Sequence, residues 1–127
     1  MKIVHLRRHE DNRGWLTENT LEKIMEESRH FFVSCSKPGI VRGNHYHKHK
    51  SEWFYVIKGA CQIIIEDVET KKRQKKIIKD TDLSIIQVLP NQAHAFKNVG
   101  DGEMYLLALV NEVLDHHNPD TYDYKLI

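Results

Sequence analysis

The sequence predicts an all-β fold, an antiparallel barrel or sandwich with the jelly roll among its forms. Short apolar runs rich in Ile, Val, Phe and Tyr recur along the chain, turn-forming residues punctuate them, and only one stretch has helical spacing. With 127 residues, 40% of them hydrophobic and 29% charged, the chain reads as one soluble domain spanning 1–127. A chain of that size buries about two-thirds of its unfolded surface.

The elements follow in order. Lys2–Arg7 (KIVHLR) is the first strand. Thr20–Ser28 (TLEKIMEES) places Leu21, Ile24 and Met25 on one helical face, but Thr20 and Lys23 do not make a capping box, so a short helix is expected. His30–Ser34 is a strand, closed by the turn Lys37-Pro38-Gly39. In Glu52–Lys58 the residues Trp53, Phe54, Val56 and Ile57 do not alternate, which predicts a strand buried on both sides or covered by a partner subunit. Lys58-Gly59 turns the chain into Cys61–Glu66. The basic run Lys71 to Lys76 lacks aromatic interleaving and reads as a solvated hairpin turn whose charges discourage edge pairing, not as a nucleic-acid patch. Lys76–Ile78, Leu83–Val88, Ala93–Asn98 and Met104–Val110 complete the strands, with turns from Asn98 to Gly102 and at Asn118-Pro119.

Charge narrows the partners. Lys+Arg 19 against Asp+Glu 18 gives a net +1, with no global electrostatic reason to expect nucleic acid or an acidic membrane. The start, MKIVHLRRHEDNRGW, has no apolar core of signal-peptide length, and no run reaches membrane-spanning length; a cytoplasmic protein is the expectation. Cys35 and Cys61 lie in strand-like runs and are expected to be buried structural thiols.

Histidine is the unusual component, with nine in the chain. In a strand, alternate side chains share a face, so His45, His47 and His49 can point together. Glu52 follows beyond a bend near Lys50-Ser51, and His94 lies between a turn and another strand. Neutral imidazoles with a carboxylate suit Zn, Fe, Ni, Mn or Cu. His45, His47, Glu52 and His94 are therefore the candidate metal ligands, with His49 read as a rim residue. From the residues alone, a metal centre and a wet barrel rim stand about even.

Gly39, His45, His47, Glu52 and Gly59 match the first cupin motif (Gly, five residues, His-x-His, three or four residues, Glu, six residues, Gly) without a gap. His94 and Asn98 match the second, over 89–98, where Leu89 and Asn91 replace the usual proline and glycine; Asn tolerates the left-handed backbone that glycine serves there. The chain thus resembles the cupins, which implies a double-stranded β-helix, the jelly-roll barrel. From about Phe31 to Tyr122 it resembles more closely the C-terminal cupin domain of capsular-polysaccharide reductase/epimerases, through KPGIVRGNHYHKHKSEWFYVIKG, HAFKNVGDGEMYLL and NEVLDHHNPDTY; DNRGWLTE resembles the opening strand of nucleotide-sugar epimerases. Arg42, Gly43, His45 and Tyr46 match the RGxHyQ phrase of dTDP-4-dehydrorhamnose 3,5-epimerases, with His47 in place of glutamine. Arg42, Gly43, His45, His47 and Lys48 match the RGxHxHK phrase of sugar 3,4-ketoisomerases.

The resemblance implies an epimerase or isomerase of a nucleotide-linked 4-keto-deoxysugar in surface-polysaccharide synthesis, acting by deprotonation beside the ketone. Without the reductase domain of the capsular enzymes, a separate protein would carry out any reduction. Arg42 would bind the diphosphate, and His45 would be either the catalytic base or a metal ligand. Tyr55 is a candidate substrate-binding residue and, with Tyr105, a candidate proton donor. A divalent metal, zinc favoured, and a homodimer are expected by the same analogy. The competing readings are a non-catalytic metal- or sugar-binding module and a metal-dependent dioxygenase.

Overall fold

Alternation along each strand sorts side chains to the two faces of a sheet, and two five-stranded antiparallel sheets result in the computed structural model, which describes residues 1–127. The first sheet runs in the order β1 (Lys2–His5), β9 (Ser84–Val88), β6 (Glu52–Lys58), β11 (Met104–Val110), β4 (His30–Ser36). The second runs β12 (Tyr122–Asp123), β5 (Val41–Tyr46), β10 (Gln92–Asn98), β7 (Ala60–Asp67), β8 (Arg73–Lys79). A hairpin of β2 (Arg7–Asp11) and β3 (Gly14–Glu18) pairs with neither sheet, and one helix, α1 (Glu22–Glu27), follows it. The fold is the all-β cupin-type jelly roll that the sequence implied. No helix is long and apolar enough to cross a membrane.

The inward faces pack as one cluster that includes Phe54, Val56, Ile63, Ile86, Phe96 and Leu106. Removing such side chains from water contributes about 1.5–3 kcal/mol each. Along β6 the inward set is Glu52, Phe54 and Val56, and along β10 it is His94, Phe96 and Asn98. The polar residue at one end of each strand is thereby carried to one end of the barrel, above the apolar floor.

Strand β6 is buried on both sides, the first of the two expectations for it: Trp53 is 3% exposed because the chain's own helix covers it, Ile24 packing on Trp53 and Ile85 across the outer face of the first sheet. Other expectations change. The predicted strand Lys2–Arg7 is broken at Leu6 into β1 and the start of β2. The basic run is not a turn throughout. Arg73 to Lys76 belong to β8, which pairs with β7 and has an open outer edge, so charge and sheet pairing coexist on an edge strand. Cys61 is buried, but Cys35 is exposed on the outer face of β4, its Sγ 2.7 Å from Glu103 Oε2.

Candidate active site

Arg42 and His45 are three residues apart, so plain alternation would place them on opposite faces of β5. A bulge brings them together. His94 pairs with His45 but Ala95 pairs with Gly43, which leaves Asn44 as the extra residue, and Gly43 and Asn44 have φ of 90° and 57°. Both Arg42 and His45 then line a cavity of about 410 Å³ together with Glu52, His94, Phe54 and Leu106. Asn44 instead faces outward, where its Oδ1 accepts the Leu126 N–H at 2.8 Å.

The four expected ligands converge. The metal-binding atoms of His45, His47, Glu52 and His94 all lie within 4.8 Å of one another. His47 Nε2 is 2.8 Å and His94 Nε2 is 3.3 Å from the same oxygen, Glu52 Oε1. Each of these rings is oriented from behind by a backbone carbonyl: His47 Nδ1 lies 2.7 Å from the Asp120 oxygen and His94 Nδ1 3.1 Å from the Gln92 oxygen. An Nδ1–H donated to a carbonyl leaves an Nε2 lone pair, and two such lone pairs facing one carboxylate oxygen need a shared proton or a cation between them. This donor set fits a divalent metal. His45 differs, since neither of its ring nitrogens has a hydrogen-bond partner within the chain.

The electrostatics follow from the packing. Burial pushes the Glu52 carboxyl up, but the hydrogen bonds from His47 and His94 outweigh it and hold the group down to about 2. Burial works against protonated His47, yet its bond to Glu52 prevails and raises its pKa. Burial, then the neighbouring His94 and His47, press His45 down to about 4, so its imidazole is neutral at pH 7. Arg42 is anchored on β4, donating from Nε to Ser36 Oγ at 2.7 Å and from Nη2 to the Cys35 carbonyl at 2.8 Å.

The tyrosines lie elsewhere. Tyr55 alternates with inward-facing Phe54 and Val56, and it lines a small apolar pocket on the outer face with Leu6, Trp53, Leu107 and Leu109. Tyr105 borders exposed Cys35, Tyr46 stacks on Tyr122, and Tyr124 bonds Glu66. None of the five tyrosines lines the cavity. His49 is exposed, in the loop after β5. The sequence reading missed Ser34, a cavity-lining residue whose buried hydroxyl has no partner, and Asp120, which holds His47 from behind. A lone serine in a strand gives no signal; the Asn-Pro-Asp turn at 118–120 was visible only as a turn.

The remaining motif residues build the frame. Asn91 adopts φ 63° and donates its N–H to the His47 carbonyl at 2.7 Å, as its place in the second motif implied. Buried Asn98 donates to the Ser36 and Gly102 carbonyls, both at 2.8 Å, and closes the turn beyond β10.

Residues 9–122 match the family described as the polysaccharide biosynthesis C-terminal domain. The UDP-2-acetamido-2,6-beta-L-arabino-hexul-4-ose reductase of Pseudomonas aeruginosa is 33% identical over 114 residues, which cover 90% of this chain and 30% of that protein. The capsular polysaccharide assembling protein CapF of Staphylococcus aureus superposes with a TM-score of 0.75 at 31% identity, over 95% of this chain and 34% of CapF. The chain therefore spans about a third of each of these relatives. The dTDP-4-dehydrorhamnose 3,5-epimerase of Bacillus anthracis, 22% identical, shares the fold with a TM-score of 0.80 over 94% of this chain and 75% of that one. With the cupin barrel and its histidine centre in place, the match over residues 9–122 makes this chain a member of the polysaccharide biosynthesis C-terminal domain family.

Proposed function

We propose that the protein is an epimerase or isomerase of a nucleotide-linked 4-keto-deoxysugar, working by proton removal beside the ketone. The observation that carries this is the β5 bulge, which sets a guanidinium and a neutral imidazole on one cavity wall next to the His47–Glu52–His94 cluster. A sugar-modifying role agrees with the family, and the reductase relative is named for a UDP-linked 4-ulose.

The assignments follow the geometry. Arg42, with its Nε and one Nη held by β4, keeps the remaining N–H donors for a diphosphate. His45 is the base: a depressed pKa leaves the ring neutral, and no backbone carbonyl orients it as ligands are usually oriented. His47, Glu52 and His94 would hold a divalent cation, zinc favoured, whose charge would stabilise the enolate. Phe54, Phe96 and Leu106 form the dry floor against which an apolar substituent of a deoxysugar fits. With no tyrosine at the cavity, the hydroxyl and imidazole available to return a proton are those of Ser34 and His45. We also propose a homodimer, supported by an exposed apolar stripe on the first sheet.

That absence of a tyrosine acid favours one second reading, a non-catalytic module that binds metal or nucleotide sugar. Proton NMR in deuterated water decides between them, with UDP- and dTDP-linked 4-keto-6-deoxysugars and with metal-loaded, chelator-treated and His45→Ala protein. Deuterium entering beside the ketone, and lost in His45→Ala, establishes the isomerase. Tight binding without exchange for every sugar establishes the module.

A further inference from the structure

Asp120 sits in the loop between β11 and β12, about seventy residues from the His-x-His strand, and is 6% exposed. Its backbone has φ 51°. Its carboxylate accepts three consecutive backbone N–H groups, those of Lys48 at 2.9 Å on Oδ1, and of His49 at 2.9 Å and Lys50 at 3.1 Å on Oδ2. Its own carbonyl takes the Nδ1 side of His47 at 2.7 Å. Around it the same two segments are tied twice more, by Lys50 Nζ to the Pro119 carbonyl at 2.6 Å and by the Ser51 N–H to Asn111 Oδ1 at 3.0 Å.

We propose that Asp120 is a positioning residue for the metal centre, its carboxylate locking the His47–Lys50 loop so that its carbonyl fixes His47 with Nε2 toward Glu52. The inference rests on the metal-binding reading of His47, Glu52 and His94. The loop it locks joins two of those residues, His47 and Glu52, and has no helix or sheet hydrogen bonds of its own. A carboxylate filling three N–H groups supplies the missing order, much as a side-chain cap does for the first turn of a helix. The carbonyl contact then settles which imidazole nitrogen is free.

The test separates carboxylate from backbone. Asp120→Gly keeps access to positive φ and removes all three carboxylate bonds, whereas Asp120→Asn keeps both shape and φ and retains one acceptor oxygen. Tyr124→Phe is the control: it breaks the 2.5 Å bond to Glu66, loosening the same C-terminal segment where its ring packs with Ile64, Ala93 and Ala95, on the opposite face of the second sheet from the ligands. Zinc affinity by chelator competition, and the visible spectrum of cobalt(II)-loaded protein, are read on the full chain. Asp120→Gly is expected to weaken zinc by about 10–100-fold, the range typical of residues that orient metal ligands. Its cobalt spectrum should shift toward that of His47→Ala. Asp120→Asn should fall between Asp120→Gly and wild type, and Tyr124→Phe should bind zinc as wild type does even where its melting temperature drops. Unchanged affinity and spectrum in Asp120→Gly, beside clear loss in His47→Ala, would overturn the role of Asp120 alone. A wild-type protein that binds neither ion would overturn the metal centre and the proposal with it.

Discussion

At Gly43, φ is 90° and a Cβ would lie 2.6 Å from the His94 carbonyl oxygen, a backbone atom of the neighbouring strand β10. An alanine there must push β5 away from β10 and leave a conformation that L residues rarely adopt. Gly43→Ala should therefore cost at least about 1–3 kcal/mol in denaturant unfolding, and it should also separate Arg42 from His45; an unaltered midpoint would remove the bulge from the account. A second prediction at this scale concerns acid. His45 titrates near 4 in the folded protein against an ordinary 6.5, so between those values the unfolded chain binds more protons and stability falls as pH falls. Glu52, near 2 against 4.5, adds a further loss on the acid side, present above 4.5 and surrendered toward 2. His47 has the opposite sign: its raised pKa stabilises below 6.5, and that contribution is lost as pH rises through the folded value. For metal-free protein, His45→Gln should flatten the decline of the urea midpoint between pH 6.5 and 4 while leaving the steeper fall below 4.5. A slope equal to wild type over that first interval would contradict the depressed imidazole.

Whether an element was legible in the sequence depended on how many of its residues burial decided. Strands β6 and β11 were read with their observed bounds, because Glu52–Lys58 and Met104–Val110 are apolar runs between clear turns. Strand β8 was read only as Lys76–Ile78, since its exposed edge is satisfied by Arg, Gln and Lys, which carry no strand signal. The bulge hid how β5 works: alternation places His45 and His47 on one face but Arg42 on the other, where the structure brings Arg42 and His45 to one cavity. The motif spacing supplied all four converging residues, yet Tyr55 could not be assigned a face until the register of β6 was known. Helix α1 was foreseen through Leu21, Ile24 and Met25, while its task of covering Trp53 was not. That task makes a prediction. Ile24→Ala removes the helix's one buried side chain and should cost about 2–4 kcal/mol. Zinc affinity should stay unchanged, because the helix lies on the outer face, across the sheet from the histidines. Loss of metal binding in a folded Ile24→Ala protein would show that the two faces are coupled.

For the whole molecule, the decisive feature is the part of the first sheet that α1 does not reach. Phe31 pairs with Leu109 and Val33 with Leu107 across β4 and β11, and Phe31 and Val33 are 67% and 54% exposed. Strand β4 is also an edge, with one row of backbone groups unpaired by the sheet. An apolar edge strand of this kind invites another chain, and soluble proteins usually blunt such edges with charge. Here the charge is spent on the other sheet, along β8. The detached hairpin points the same way. It pairs only within itself, with Trp15 and Leu16 more than half exposed, and an isolated two-stranded hairpin is marginal in water. A second copy that covers the β4–β11 stripe and receives the hairpin would bury both. Phe32, Val33 and Ser34 of β4 line the cavity, so the same contact would border the site. Light scattering coupled to size exclusion should then give twice the chain mass at micromolar concentration, and Phe31→Lys should give the chain mass with the circular dichroism of the fold retained. If deuterium exchange into the sugar falls in that monomer while zinc affinity holds, the partner completes the substrate cavity and not the metal centre. A wild-type monomer would leave the stripe to some other cover and end the dimer proposal.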